Sequence, residues 1–142
     1  QACARALAQK LSSVNFDVLL TAESKSIPLI YGMAVETKKP YVVLRKSYKP
    51  YMGDVLSAET LSITTGEPQM LYLDEKDIDL VRGKRVAIVD DVISTGSTLQ
   101  AMQLLVQKAN AKVAAEAAIF TEGERAKWAN IISLGHLPVF TD

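Results

Sequence analysis

Several features that would narrow the class of this chain at once are scarce or missing. A single cysteine, Cys3, excludes an internal disulfide, and a single histidine, His136, has no second His or Cys nearby to build a familiar zinc site. No apolar run approaches the roughly 20 residues of a membrane-spanning helix. Sixteen basic and sixteen acidic residues give zero net charge, so no overall field attracts nucleic acid or an anionic membrane. Any anion binding must therefore be local.

Common targeting and nucleotide-binding signals are missing as well. No Gly-Lys-Ser/Thr of a P-loop occurs, and no Gly-x-Gly-x-x-Gly follows a strand. The first residues lack the charged-then-apolar layout of a secretory signal, which together with the lone cysteine predicts a cytoplasmic protein. Gln1 is an unusual first residue, which indicates a processed or truncated N-terminus. The length suits one compact domain spanning residues 1–142.

Helical and strand patterns alternate along the chain, which predicts an α/β fold with a mainly parallel sheet and helices on both faces. The predicted helices cover residues 2–11, 29–36, 99–109 and 124–130. The predicted strands cover residues 18–21, 41–44, 61–64, 70–72, 85–89, 113–120 and 137–140, with 61–64 and 70–72 paired as a hairpin. Residues 47–62 form a polar connection too long for a passive linker, so we predict a lid.

The most informative stretch is an apolar strand, residues 86–89, that runs into Asp90 and Asp91 and then into a turn of small side chains. A buried parallel strand ends where open α/β sheets bind ligands. Converging backbone N–H groups, the helix dipole and hydroxyl donors in the turn suit a phosphate monoester. The two carboxylates would repel it unless they bind sugar hydroxyls or a Mg²⁺ carried by the ligand. Phosphate and ribose binding are thus predicted, against the plainer alternative of acids favoured near a helix N-terminus. The turn consists of Ser94, Thr95, Gly96, Ser97 and Thr98.

This stretch resembles the phosphoribosyl-pyrophosphate signature of type I phosphoribosyltransferases, an acidic pair followed by a Thr-Gly turn and a helix. The resemblance implies that Ser94 to Thr98 bind the ribose 5-phosphate. It also implies that Asp90 and Asp91 are the catalytic pair that faces the ribose hydroxyls, and that Mg²⁺, bound with phosphoribosyl pyrophosphate, is held partly by these carboxylates. The implied architecture is the type I phosphoribosyltransferase fold, a twisted sheet flanked by helices with a flexible lid loop, in a homodimer.

Two further strand ends carry candidate pyrophosphate ligands. Glu23, Ser24 and Lys25 follow the first strand and resemble the pyrophosphate loop of adenine phosphoribosyltransferases, which implies a non-proline cis peptide bond near Glu23-Ser24. Lys25 stands where Arg is usual in that family, and lysine offers a point charge in place of a planar fork. Arg45 and Lys46 end the second strand and resemble the Arg-Lys pair that meets pyrophosphate in purine enzymes. Solvated surface cations are the alternative for each of these loops.

The predicted lid has a chemical reason, because phosphoribosyl transfer passes through a cationic sugar that open water would capture. Lys49 is its candidate contact to the leaving pyrophosphate. Met52-Gly53-Asp54 resembles the Pro-Gly-Glu of the adenine enzymes and of archaeal hypoxanthine/guanine relatives. The candidate lid residues are Tyr51, Gly53 and Asp54.

One departure weakens an adenine-specific mechanism. Adenine enzymes often carry a Glu-Tyr pair just before a glycine, and this chain has Thr64-Thr65-Gly66 there. The N-terminal hood of purine enzymes is predicted to be absent or truncated. The base pocket is then predicted from Val92, Ile93 and residues 121–123, with ordinary loop packing as the alternative.

The predicted function is a purine phosphoribosyltransferase that joins phosphoribosyl pyrophosphate to a purine base, adenine favoured, with no nucleic-acid or membrane partner. The alternatives are an enzyme for hypoxanthine, guanine, xanthine or orotate, and a regulator that binds phosphoribosyl pyrophosphate without catalysis. Three other residues are predicted to lie outside the site. We expect His136 at the surface, Trp128 at the edge of the core and Cys3 as a buried, inert thiol.

Overall fold

The computed structural model describes residues 2–60, 69–123 and 125–137. The strands are β1 Val18–Ala22, β2 Tyr41–Leu44, β3 Leu56–Glu59, β4 Met70–Leu73, β5 Arg85–Ile93, β6 Lys112–Glu122 and β7 Ile132–Leu137. The helices are α1 Ala2–Lys10, α2 Ile27–Thr37, α3 Glu75–Val81 and α4 Ser97–Lys108. Short 3₁₀ turns form at Pro50–Met52 and Arg125–Trp128. No helix within the described ranges is long and apolar enough to cross a bilayer.

Five parallel strands form the main sheet in the order β2-β1-β5-β6-β7. Every residue of β1 is buried, which is typical of a parallel strand covered on both faces. One face packs on α1 and α2 through a cluster that includes Leu7, Leu19 and Met33. The other packs on α4 through a cluster that includes Leu20 and Met102. The predicted parallel sheet with helices on both faces is confirmed.

The chain order makes a crevice between β1 and β5. From β1 the chain crosses through α2 to β2 on one side, and from β5 it crosses through α4 to β6 on the other. The loops that follow β1 and β5 therefore leave the sheet in opposite directions beside one another. Such a switch point is where open α/β sheets bind ligands.

A small antiparallel hairpin, β3 with β4, lies beside the main sheet. It joins the edge strand through paired backbone hydrogen bonds between Arg45 and Tyr72. Ala58 and Leu71 pack into the same core as α4, and the Lys108 ammonium donates to the Ser57 carbonyl. The hairpin is thus attached to both β2 and α4.

Several predicted boundaries are wrong. Residues 56–59 form a strand where a polar connection was predicted, because Leu56 and Ala58 alternate with Ser57 and Glu59 and pack inward. The pairing partner of β4 is therefore 56–59, while the predicted strand 61–64 lies outside the described residues. The predicted strand 137–140 is replaced by β7, which starts five residues earlier, at Ile132, and residues 138–140 are also outside the description.

Two more elements differ from the prediction. Helix α3 was not predicted, because only Ile78 and Val81 of its residues are buried, and its Asp74 cap accepts a hydrogen bond from the Lys76 N–H. The predicted helix 124–130 is a 3₁₀ turn, Arg125–Trp128. β5 also continues past Val89 to Ile93, because β6 runs alongside it that far.

Candidate functional site

A cleft of about 290 Å³ opens at the switch point between the ends of β1 and β5. A smaller cup of about 110 Å³ adjoins it beside the N-terminus of α4. Asp90, Val92 and Thr98 line both. The acidic pair, the turn after β5 and the loop after β1, three separate parts of the predicted site, therefore surround one space. The residues that line the cleft are Ala22, Glu23, Ser24, Lys25, Ser26, Lys46, Thr60, Gln69, Leu71, Asp90, Asp91, Val92 and Thr98.

The two carboxylates of the acidic pair differ in environment. Burial, followed by the neighbouring Asp91 carboxyl, raises the pKa of Asp90 to about 7. Burial also acts to raise the pKa of Asp91, but hydrogen bonds from Asp90 and from the Val92 N–H, with the positive charge of Lys25, outweigh it and lower that pKa. Adjacent carboxyls at this separation titrate as a pair, so Asp91 carries the charge first and Asp90 retains the proton longer.

The cup is formed by the turn that precedes α4. Gly96 adopts a φ of +86° immediately before the helix, a conformation that L side chains rarely adopt. Thr95 Oγ1 accepts a hydrogen bond from the Ser97 N–H at 3.3 Å. Gly96 has no side chain to cap the helix, and the Thr98 and Leu99 N–H groups, whose residues line the cup, have no side-chain partner among the described residues. The helix dipole adds partial positive charge there.

Trp128 packs directly against this turn. A Cβ placed on Gly96 would lie 2.9 Å from Trp128 Cη2. The indole N–H donates to the Glu122 carbonyl at 2.6 Å, and Lys127 donates to the Thr95 carbonyl at 3.4 Å. Trp128 is buried in the core as predicted. Its ring also lies so close to Gly96 that a side chain at this position of the turn would collide with it.

The loop after β1 contains the expected cis peptide bond, between Glu23 and Ser24. The Glu23 carboxylate turns toward β2, where it accepts a hydrogen bond from the Lys46 N–H at 2.6 Å and lies 3.5 Å from Arg45 Nη1. The loop is therefore tied to the end of the neighbouring strand. Lys25 and Lys46 line the cleft, while Arg45 is absent from the described lining and pairs with Glu23.

The predicted lid residues lie away from the cleft. Lys49, Tyr51, Gly53 and Asp54 are not among its described lining residues. Tyr51 is 82% exposed, and the Tyr48 hydroxyl donates to the Gly53 carbonyl at 3.1 Å. The Asp54 N–H donates to Glu75 Oε2 at 3.0 Å, which attaches this segment to the start of α3.

The predicted base-pocket residues are divided between the site and the interior. Val92 is half-buried and lines both the cleft and the cup. Ile93 borders the cup but is only 3% exposed and belongs to the core. Thr121 is also buried, and its hydroxyl bonds to His136 Nδ1 at 2.8 Å.

His136 is not the surface residue expected from the sequence. It is half-buried on β7, where Nε2 lies 2.7 Å from the Gly123 carbonyl and Nδ1 lies 2.8 Å from Thr121 Oγ1. A carbonyl only accepts, so Nε2 carries a proton and donates to it. The ring thereby joins the ends of β6 and β7. Cys3 is partly exposed on α1, which makes the expectation of a buried thiol too strong.

The site includes residues that the motif analysis did not assign. Ser26 donates a hydrogen bond to Asp90, and Thr60, Gln69 and Leu71 bring the β3–β4 hairpin to the cleft. Ser26 follows the candidate loop directly, so its position was a usable signal. The sequence gives no such signal for the hairpin residues, because their approach to the cleft depends on contacts between residues far apart in sequence.

The carboxylates at the cleft determine whether it can hold Mg²⁺. Within the described residues, no group of three or more His, Cys, Asp or Glu side chains is arranged to hold a metal ion. Three carboxylate residues border the cleft, and the Glu23 carboxylate is already bonded to the Lys46 N–H and paired with Arg45, which leaves Asp90 and Asp91. Mg²⁺ is commonly held by one or two carboxylates together with substrate oxygens and water. Asp90 and Asp91 therefore fit a Mg²⁺ that is bound with a phosphorylated ligand, and they do not form a protein cage for the ion.

Comparison with known proteins decides the family. The family model described as the phosphoribosyl transferase domain matches residues 1–131. The chain belongs to this phosphoribosyl transferase family. The fold expected from the resemblance, a parallel sheet flanked by helices, is that of this domain. A lid is not shown.

Sequence relatives of this phosphoribosyl transferase domain include archaeal enzymes. It is 34% identical to a hypoxanthine/guanine phosphoribosyltransferase of Methanotorris igneus over 80% of the chain. It is 33% identical to the enzyme of the same name from Methanococcus vannielii over 81% of the chain. In both cases the match covers 58% of the relative, so the chain spans less than two thirds of their length.

Solved structures similar to this phosphoribosyl transferase domain include adenine enzymes. The adenine phosphoribosyltransferase of Thermoanaerobacter pseudethanolicus superposes with a TM-score of 0.82 at 25% identity, covering 96% of this chain and 79% of that one. The adenine phosphoribosyltransferase of Trypanosoma brucei, solved with AMP, pyrophosphate and ribose-5-phosphate, superposes with a TM-score of 0.74 at 21% identity. The match covers 94% of this chain and 62% of that one. The sequence relatives and the structural neighbours thus carry names for different purine bases.

Proposed function

We propose that the chain is the core of a purine phosphoribosyltransferase, which transfers the phosphoribosyl group of phosphoribosyl pyrophosphate to a purine base and releases pyrophosphate. The observation that carries the proposal is the convergence at one cleft of the acidic pair, the turn before α4 and the lysine-bearing loop after β1. These groups match the sugar hydroxyls, the 5-phosphate and the diphosphate of one substrate.

In this proposal the cup binds the ribose 5-phosphate. The Thr98 and Leu99 N–H groups and the hydroxyls of Ser94, Thr95 and Thr98, whose residues line the cup, are its donors. The Ser97 hydroxyl, which accepts from Thr95 Oγ1 at 3.2 Å and does not line the cup, joins them when it turns toward the phosphate. The glycine at 96 lets the backbone approach the phosphate without a side chain between them. Binding energy from this remote group orients the sugar for reaction at its anomeric carbon.

Lys25 and Lys46 bind the diphosphate from the opposite side of the cleft. Arg45 and Lys49 reach it only if their side chains or segments move, since neither borders the cleft in this arrangement. Glu23 supports the same end of the cleft by holding the Lys46 backbone. When Mg²⁺ is bound with the substrate, it neutralises diphosphate charge and so assists departure of the leaving group.

Asp90 and Asp91 contact the ribose hydroxyls and hold the substrate-bound Mg²⁺. The charge on Asp91 also stabilises the positive charge that develops on the sugar as the bond to pyrophosphate breaks. The Tyr51, Gly53 and Asp54 segment closes over the cleft and excludes water during this step. No covalent intermediate with the protein is required.

The acceptor base in this proposal is adenine, in line with the adenine-type structural neighbour at 25% identity, and the Met52-Gly53-Asp54 motif is compatible with adenine and with hypoxanthine or guanine alike. Hypoxanthine or guanine is the second candidate, because the archaeal sequence relatives bear that name. Val92 supplies an apolar surface for either ring. Thr64 and Thr65, where the adenine-type Glu-Tyr pair is missing, lie outside the described residues.

Nucleotide formation tests the function directly. The protein is incubated with Mg²⁺, phosphoribosyl pyrophosphate and a mixture of adenine, hypoxanthine, guanine, xanthine and orotate, and the products are separated. We expect one purine nucleoside monophosphate. Calorimetric titration with phosphoribosyl pyrophosphate runs in parallel. Binding without product would favour the regulator. The absence of both binding and product would contradict the proposal.

The same proposal includes a single domain, a homodimer and a cytoplasmic location. Sedimentation equilibrium checks the dimer, which is expected at micromolar protein concentration. Limited proteolysis checks the domain, since a single compact unit should yield one resistant core. Fractionation of source cells checks the location.

A further inference from the structure

Ser26 lies at the residue before α2, where a serine side chain ordinarily accepts a hydrogen bond from the N–H groups of its own helix. Among the described residues it makes no such capping bond. Its hydroxyl donates instead to Asp90 Oδ1 at 3.1 Å, and the residue is 2% exposed. This buried hydroxyl is therefore committed to the acidic pair and not to helix α2.

The contact determines how the Asp90 carboxylate is oriented. The Asp91 N–H donates to the same oxygen, Oδ1, at 2.8 Å. Two donors on one oxygen restrict rotation of the carboxylate. Neither of these two donors occupies Oδ2, which leaves that oxygen to the Asp91 carboxyl and to a ligand in the cleft that Asp90 lines.

The contact also joins two binding segments that are 64 residues apart in sequence. Ser26 directly follows the loop of Glu23, Ser24 and Lys25, and Asp90 lines both the cleft and the cup. We propose that Ser26 is a positioning residue that orients the Asp90 carboxylate toward the sugar and couples it to the loop after β1. This inference rests on the proposed phosphoribosyl-transfer function and adds a residue to it.

The test compares Ser26→Ala with Ser26→Thr, which keeps the hydroxyl, and with Ser12→Ala. Ser12 is the control because its exposed hydroxyl bonds, among the residues that the structure describes, to the nearby Gln9 carbonyl and to no binding segment. Calorimetry measures affinity for two probes, Mg²⁺–phosphoribosyl pyrophosphate and inorganic pyrophosphate with Mg²⁺. We expect Ser26→Ala to weaken the first about tenfold, as for one lost buried hydrogen bond, and the second less than twofold. Ser26→Thr should recover most of the loss.

A double-mutant cycle with Asp90→Ala tests whether Ser26 acts through Asp90. In the Asp90→Ala background, Ser26→Ala should change the affinity for Mg²⁺–phosphoribosyl pyrophosphate less than twofold. Thermal unfolding of every variant controls for a structural effect. A general disturbance of the loop would weaken pyrophosphate binding to the same extent.

The outcomes separate this inference from the function on which it rests. If the wild-type chain binds neither probe, the proposed function is overturned, and the role of Ser26 in it as well. If the wild-type chain binds both, the inference alone is overturned by equal losses for the two probes. Equal losses in the two Asp90 backgrounds, or no loss at all, would also overturn it.

Discussion

Gly96 and Trp128 are in contact across the turn before α4: the indole edge occupies the place where a side chain at residue 96 would begin. An ideal Cβ there would lie 2.9 Å from Trp128 Cη2 and 3.4 Å from Cζ3. The φ of +86° at Gly96 disfavours a side chain independently. The shape of the proposed phosphate cup thus depends on a residue 32 positions later in the chain.

Gly96→Ala is expected to weaken binding of phosphoribosyl pyrophosphate at least tenfold, because either the turn or the Trp128 ring must shift. Gly83→Ala is the matched control, since Gly83 has a φ of +73° and no atom of the described residues lies within 4 Å of its Cβ position. Both variants should lose about 1 kcal/mol of unfolding free energy from backbone strain. Gly96→Ala should lose further unfolding free energy through the Trp128 contact, and it alone should lose affinity for phosphoribosyl pyrophosphate. Calorimetry and urea unfolding make the comparison, and equal effects of the two variants would contradict the role of the Trp128 contact.

Ser97→Asp should separate stability from binding. Ser97 is the first residue of α4, where a negative charge favours the helix dipole, so the free energy of unfolding should stay equal or rise by up to about 1 kcal/mol. The same charge repels a phosphate in the cup, so affinity for phosphoribosyl pyrophosphate should fall at least tenfold. Ser97→Asn is the neutral control of similar size. If Ser97→Asp leaves the affinity for phosphoribosyl pyrophosphate unchanged, the phosphate does not bind in this cup.

The sequence motifs predict the parallel core and the approximate centre of the site, because both follow from local patterns. Residues 86–89 are apolar at every position, as in a strand buried on both faces, and Asp90 and Asp91 follow at its end. The same logic cannot predict the Trp128 contact with Gly96 or the approach of Thr60 and Gln69 to the cleft. Those contacts depend on how distant elements pack.

The sequence also leaves the direction of a side chain undetermined. Glu23, predicted as a pyrophosphate ligand, lines the cleft, and its carboxylate bonds to Arg45 and to the Lys46 N–H, which the motif does not indicate. Ser26 has the sequence position of a helix cap, yet its hydroxyl bonds Asp90. In both cases a competing partner from a strand far along the chain decides the rotamer, and local propensity contains no information about it.

Glu23→Gln and Glu23→Ala distinguish support of the loop from direct binding. Glutamine keeps an acceptor for the Lys46 N–H and removes only the exposed ion pair with Arg45, which contributes little. We expect affinity for Mg²⁺–pyrophosphate within about threefold of wild type in Glu23→Gln, and a loss of about tenfold in Glu23→Ala, where the tie to β2 is gone. Equal losses in the two variants would show that the charge of Glu23, and not its hydrogen bond, matters.

Asp17 and Arg85 form a two-pronged ion pair at the opposite end of β1 and β5 from the cleft, with Nη2–Oδ1 at 3.1 Å and Nε–Oδ2 at 3.2 Å. The Arg85 N–H also donates to Asp17 Oδ2 at 2.8 Å. The side-chain and backbone bonds from Arg85 lower the pKa of Asp17 from 3.8 to about 2. Because the folded-state pKa is the lower one, the unfolded chain binds the proton first as the pH falls.

The stabilisation by Asp17 is therefore fully present above about pH 4 and is lost as the pH falls through 2. Asp17→Asn should lower the unfolding free energy at pH 7 and flatten its decline between pH 4 and 2. Urea unfolding at a series of pH values measures both effects. Affinity for phosphoribosyl pyrophosphate should stay unchanged, because neither Asp17 nor Arg85 borders the cleft among the described residues. If the unfolding free energy of Asp17→Asn declines between pH 4 and 2 as steeply as that of the wild type, other carboxyls cause the loss of stability at low pH.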